Sequence, residues 1–216
     1  MIRDGYIYTF EGNEGCGKTT VINELAKKLT SEGHEVLITR EPGGSELAEK
    51  IRNMIMKEEK LNTSTELMLF LAARLDHFNK VILPALKENK IVLIDRFIDS
   101  TLVYQGMVPE NACNIRMIYK FNQIYFGGVY PNSIRYSFYL RLNNVEEGLK
   151  RISNNARKTN KFDNKNLEFH KKVQQAYDEL YMPKVQINRD GTRVVVNASN
   201  SIEEVVNDIY KAMSKY

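Results

Sequence analysis

Residues Gly12-Asn13-Glu14-Gly15-Cys16-Gly17-Lys18-Thr19 satisfy the spacing G-x-x-x-x-G-K-[ST] at every fixed place. Those types suit one task, holding a polyphosphate. Glycines let the backbone wrap an anion with its N–H groups turned inward. The helix that follows offers the positive end of its dipole. Lys18 can reach the β- and γ-phosphates, and the Thr19 hydroxyl can ligate Mg²⁺, with Thr20 closing the segment. A chance glycine-rich turn is the alternative, but a strand-like run precedes the loop and an amphipathic run follows it, as a phosphate cradle requires. A second part lies in "VLIDRF": Asp95 ends an apolar strand, where ligands of open α/β sheets gather, and can hold Mg²⁺ through water. Arg96 follows it, always charged and with a fork that suits phosphate.

Three further stretches could form the other side of such a site. "TREPGGS" (39–45) makes a second bend and carries Glu41 and Pro42. "LMLFLAARLDH" (67–77) puts Phe70 and Arg74 four apart, on one helix face. "DRFIDSTLVYQG" (95–106) puts Ser100, Thr101, Tyr104 and Gln105 just past the metal-type strand. An aromatic face, a guanidinium and an amide could stack on a base and hydrogen-bond its edge. Singly, each has a plainer reading: a core phenylalanine, a surface arginine, a half-buried tyrosine.

These residues need a frame. Runs at 6–10, 35–40, 90–97, 135–142 and 193–198 are rich in β-branched and aromatic residues and read as strands. Amphipathic stretches separate them: 20–33, with Val21, Ile22, Leu25 and Leu29 on one face; 64–89, read as two helical stretches end to end with Pro84 kinking or starting the second; and shorter helices at 144–152 and 202–213. Strands alternating with helices imply a parallel sheet with right-handed crossovers, and the nearly wholly apolar "KIVLID" fits a central strand. The 216 residues form one expected domain, 1–216. Two cysteines without a CxxC pair suggest neither a metal nor a redox motif. No leader and no membrane-length apolar run stands out, so a cytoplasmic setting without membrane contact is expected. The net charge of +4 is mild for a nucleic-acid partner, which is not expected, and suits a small anion.

The order P-loop, "TREPGG", "LFLAAR", "DRFIDSTLVYQG" and a basic stretch resembles the bacterial thymidylate kinases, from the first strand to about Tyr181. The resemblance implies the P-loop nucleoside monophosphate kinase fold: an α/β protein with a five-stranded parallel sheet flanked by helices, and a lid segment. It implies a homodimer that uses ATP and Mg²⁺ to phosphorylate dTMP to dTDP, for dTTP synthesis. By motif, Phe70 would stack on thymine; Arg74 and Gln105 with Thr101 would read its edge; Arg96 and Arg52 would hold the dTMP phosphate. Tyr104 would crowd the sugar 2′ position, Glu14 would approach the 3′-hydroxyl, and Glu41, Pro42 and Ser100 would complete the dTMP side.

Some members of the family carry a P-loop arginine; others draw their cations from the lid. With Glu14-Gly15 in the loop this chain resembles the second style, so the lid at 151–166 would supply Arg151, Arg157 or Lys161, Arg157 foremost, as an arginine finger does. Three departures stand out: Lys161 where arginine is usual, Phe97 in place of a tyrosine, and a longer link through 131–140. No nucleophile or general base is expected, and Cys16 is read as a small filler. The rival readings are another nucleoside monophosphate or deoxynucleoside kinase and, from a different class, a P-loop ATPase acting on nucleic acid.

Overall fold

The computed structural model describes residues 5–58, 60–126, 133–154, 161–182 and 192–214. Five strands, β1 (Ile7–Glu11), β2 (Val36–Arg40), β3 (Ile91–Asp95), β4 (Ile134–Arg141) and β5 (Thr192–Asn197), form one sheet in the order β2-β3-β1-β4-β5. All four pairings are parallel. Each strand lies within two residues of its expected bounds, because runs of β-branched and aromatic residues, most deeply buried in β1, β3 and β4, leave little choice. β1 and β4 slip by one residue, with Ile7 opposite Ile134 but Tyr8 opposite Tyr136, so Arg135 is absorbed as a bulge.

The helices are α1 (Lys18–Ser31), α2 (Glu46–Lys57), α3 (Thr63–His77), α4 (Leu83–Lys87), α5 (Ile98–Tyr104), α6 (Ile115–Phe126), α7 (Val145–Ser153), α8 (Leu167–Tyr181) and α9 (Ile202–Met213). The 64–89 run does divide near Pro84, but through a π-helical stretch, Phe78–Ile82, that keeps α3 and α4 continuous. The helices α2, α5, α6 and α8 are additions to those expected.

The strands' period of two sorts the core. On one face Ile7, Val92, Ile94 and Tyr139 pack with α3, α5 and α8. On the other Tyr8, Phe10, Leu93, Phe138 and Leu140 pack with α1 and α9. Both faces are covered, so the ligand-accessible edge is the row of strand carboxyl ends. There β1 leads into the glycine loop and β3 into Asp95. Among the described residues no helix is long and apolar enough to cross a membrane.

Candidate active site

The glycine loop turns α1 so that its first residue is Lys18, just after Gly17 in the left-handed region at φ 92°. Lys18 Nζ donates to the carbonyls of Gly12 at 3.1 Å and Asn13 at 3.0 Å, which keeps its charge inside the loop. The Thr19 hydroxyl donates to Asp95 Oδ2 at 3.0 Å. The chain thus brings together a hydroxyl and a carboxylate 76 residues apart. Two hard oxygen donors at the mouth of a phosphate cradle fit Mg²⁺. Cys16 is 2% exposed, as a filler would be.

Arg96 sits where β3 ends, at φ 68°, a left-handed conformation unusual for a residue with a side chain. Its guanidinium donates to Glu14 Oε1 at 2.7 Å, Ser100 Oγ at 3.2 Å and Tyr177 OH at 3.4 Å. Burial works against the charge, but the Glu14 carboxylate beside it more than offsets this and lifts the pKa well above the ordinary guanidinium value. Arg52 donates to the Pro42 carbonyl at 2.9 Å. Burial, then the like charge of Arg40, hold its pKa below the usual value, and Arg96 adds to that repulsion. Three guanidiniums around one space are relieved by an anion.

The far wall is built on Arg74, which is 2% exposed. Its Nε donates to Glu41 Oε2 at 2.6 Å, and its Nη2 to Thr101 Oγ1 at 2.8 Å and the Phe97 carbonyl at 3.1 Å. Burial would raise the Glu41 carboxyl, but Arg74 and His77, whose Nδ1 is 3.1 Å from Glu41 Oε1, hold it below its ordinary value. Beside this wall stand the half-buried Phe70 and the ring of Tyr104, which packs edge-on to Phe162 at 5.5 Å and lies under Arg96 at 5.3 Å. Phe70, Arg74, Thr101, Tyr104 and Gln105 line the same cavity as Lys18, Thr19 and Asp95, with a volume of about 980 Å³. Arg151, on the last turn of α7 rather than in a loop, also lines it and donates to the Ala198 carbonyl at 3.4 Å. Lys161 is turned to Glu66 instead, at 2.5 Å. Arg157 lies outside the described residues.

The sequence of β1 hides one more contributor. Glu11 is 0% exposed. It lies on the same sheet face as Ile7, where it accepts from Phe97 N at 2.7 Å, Ser100 Oγ at 2.5 Å and Tyr177 OH at 3.1 Å. It thus ties the end of β1 to the Arg96–Ser100 segment and to α8. Burial, aided by Asp99, pushes its carboxyl up to about 7. The unfolded carboxyl gives up its proton near pH 4.5, so through pH 4.5–7 the folded chain holds a proton that the unfolded chain has lost. This group's contribution to stability therefore falls across that window and is flat above it. The melting-temperature advantage of the wild type over Glu11→Gln is expected to be smaller at pH 8 than at pH 5; an equal or larger advantage at pH 8 would contradict the assignment.

The sequence model described as thymidylate kinase matches residues 10–209. This chain belongs to the thymidylate kinase family. The thymidylate kinase of Bacillus licheniformis is 42% identical over 207 residues, covering 94% of this chain and 92% of that one. That of Staphylococcus haemolyticus is 36% identical over 208 residues, covering 96% and 97%. The crystal structure of thymidylate kinase from Ehrlichia chaffeensis superposes with a TM-score of 0.75 at 28% identity, over 97% of this chain and 98% of that one. As a member of the thymidylate kinase family the chain is a phosphotransferase with the P-loop nucleoside monophosphate kinase fold.

Proposed function

We propose that the chain transfers the γ-phosphoryl of ATP to dTMP, giving dTDP and ADP, with the whole chain acting as one kinase unit. The observation that carries this is the shared cavity: a phosphate cradle at one end and Phe70, Arg74 and Gln105 at the other, separated by Arg52 and Arg96. In this reading the loop N–H groups and Lys18 take the donor's β- and γ-phosphates. Arg96 and Arg52 take the acceptor's phosphate. Phe70 stacks on the base, Arg74 and Gln105 face its edge, and Tyr104 lies against the sugar. Thr19 and Asp95 would hold Mg²⁺, which when bound neutralises charge on the phosphate oxygens. The protein's own work is positioning and charge stabilisation, so no nucleophile is required. Pairing of two copies belongs to the same reading and rests on membership of the family.

A coupled ADP-release assay with dTMP, dUMP, other monophosphates and an acceptor-free control tests the reading. Turnover that favours dTMP and needs an acceptor supports it; equal turnover without acceptor would point to an ATPase instead. Within that assay, Phe70→Ala is expected to raise the dTMP KM by about tenfold to a hundredfold, since base stacking contributes about 1–3 kcal/mol. The ATP KM should stay nearly constant. Equal weakening for both substrates would make Phe70 a packing residue.

A further inference from the structure

Glu66 lies on the first turn of α3 and joins two distant residues. Its Oε1 accepts from Gln105 Nε2 at 2.9 Å, and its Oε2 from Lys161 Nζ at 2.5 Å. The Glu66 and Lys161 side chains are only 14% and 15% exposed. Gln105 is 1% exposed and lines the cavity. Its main chain is held as well: its N–H donates to the Thr101 carbonyl at 3.0 Å, and its carbonyl accepts from Cys113 N at 2.8 Å.

A carboxamide has nearly the same shape in its two orientations but exchanges donor for acceptor between them. Left alone, Gln105 could turn either end to a ligand. Glu66 removes that freedom. As the anion of its pair with Lys161 it accepts and does not donate. The NH₂ end of Gln105 must therefore turn to Glu66, and the carbonyl Oε1 is left for the cavity. Lysine suits the arrangement, since its ammonium is a point charge that takes one carboxylate oxygen and leaves the other for the amide.

We propose that Glu66 is a specificity-setting positioning residue: it locks the Gln105 amide so that the acceptor base meets a hydrogen-bond acceptor. Thymine and uracil carry an N3–H that donates to such an oxygen. Cytosine has a lone pair at N3 and meets it with repulsion, so the device works against dCMP by an unfavourable contact as well as for dTMP by a favourable one. This rests on the reading above that Gln105 faces the acceptor base.

The test compares wild type, Glu66→Gln, Gln105→Ala and the double variant with dTMP, dUMP and dCMP. Glu66→Gln keeps the shape but can donate, so the Gln105 amide is free to turn. The ratio of kcat/KM for dTMP over dCMP is expected to fall about tenfold, the scale of one hydrogen bond made or mis-set. The fall should come through the dTMP KM, with the ATP KM constant and the dTMP-to-dUMP ratio unchanged, because both bases carry N3–H. In the Gln105→Ala background, Glu66→Gln should change the dCMP ratio no further. Glu66→Asp keeps an acceptor-only carboxylate and should hold the ratio within about threefold even if every KM rises; it also serves if Glu66→Gln folds poorly. A ratio unmoved by Glu66→Gln, the same fall without Gln105, or a uniform loss of kcat for all acceptors would overturn the proposal. If wild type does not use dTMP, the functional reading itself fails. If it does, and Gln105→Ala alone raises the dTMP KM, failure belongs to Glu66 only.

Discussion

Replacing Lys18 by alanine is expected to lower kcat by about a thousandfold while the circular dichroism spectrum stays that of the wild type. The magnitude is that of removing one preorganised charged donor from a water-excluded site. Lys18 is 7% exposed, yet its ammonium is no part of the apolar core: it lies on the carbonyls of its own loop, at 3.0 and 3.1 Å. Those carbonyls lose a partner in the variant, at about 1–3 kcal/mol. The α1 face that holds the loop in place, Val21, Ile22, Leu25 and Leu29, is untouched. The loss should therefore be chemical and not structural. A folded Lys18→Ala enzyme within tenfold of wild type would remove the phosphate cradle from the mechanism.

Arg96→Ala should lower kcat/KM by about a hundredfold to a thousandfold, again the scale of one aimed charge. Here a stability effect must be separated from the catalytic one. Arg96 and Glu14 are 15% and 13% exposed and 2.7 Å apart, so the variant removes one ion pair from a largely buried carboxylate. Arg96→Gly distinguishes the two. Both variants remove the guanidinium and its ion pair with Glu14 equally, but glycine accepts φ 68° without strain, so Arg96→Gly should be about 1 kcal/mol more stable than Arg96→Ala. The two should nonetheless be equally slow. If activity instead recovered with stability, Arg96 would be a structural residue. Arg96→Lys should return part of the rate, because it restores charge without the planar fork.

The strands were legible because their information is local: β3, read at 90–97 and found at Ile91–Asp95, is a run of β-branched and aliphatic residues that only a buried strand accommodates. The glycine loop was legible for the same reason, its chemistry lying within eight consecutive places. α2 was missed because its buried positions Ala48, Ile51 and Ile55 are sparse among charges, and it is anchored by a cap, Ser45 Oγ accepting from Ala48 N, that the preceding Pro-Gly-Gly bend obscures. Glu41 was named for the dTMP side through the resemblance alone, and the partners of the site's carboxylates were missed for a different reason. Glu11 meets Phe97 across 86 residues, Glu41 meets Arg74 across 33, and Glu66 meets Lys161 across 95. In the sequence Glu41 stands between Arg40 and Pro42 and Glu66 between Thr65 and Leu67, with nothing local to name the distant partner. Glu11 alone had a local sign: an ionisable residue in a strand whose other members are apolar or neutral, on the face that period two assigns to α5 and α8.

The close approach of Gly15 to α7 bears on how such an enzyme can change over generations. A β-carbon on Gly15 would lie 2.1 Å from the carbonyl oxygen of Gly148, and one on Gly148 would lie 2.5 Å from that of Glu14. Gly15 also has φ 73°. The loop and the helix therefore touch backbone to backbone, and the main-chain carbonyls that meet there demand glycine at both places. Placing a basic side chain at position 15 is then no single-residue step. Any side chain there must first push α7 back, and α7 carries Arg151, a cation already facing the cavity. The intermediate genotype would lose one basic group before the other was seated. A lineage that begins with this pair of glycines is held to its own arrangement of charge by the thickness of two main chains.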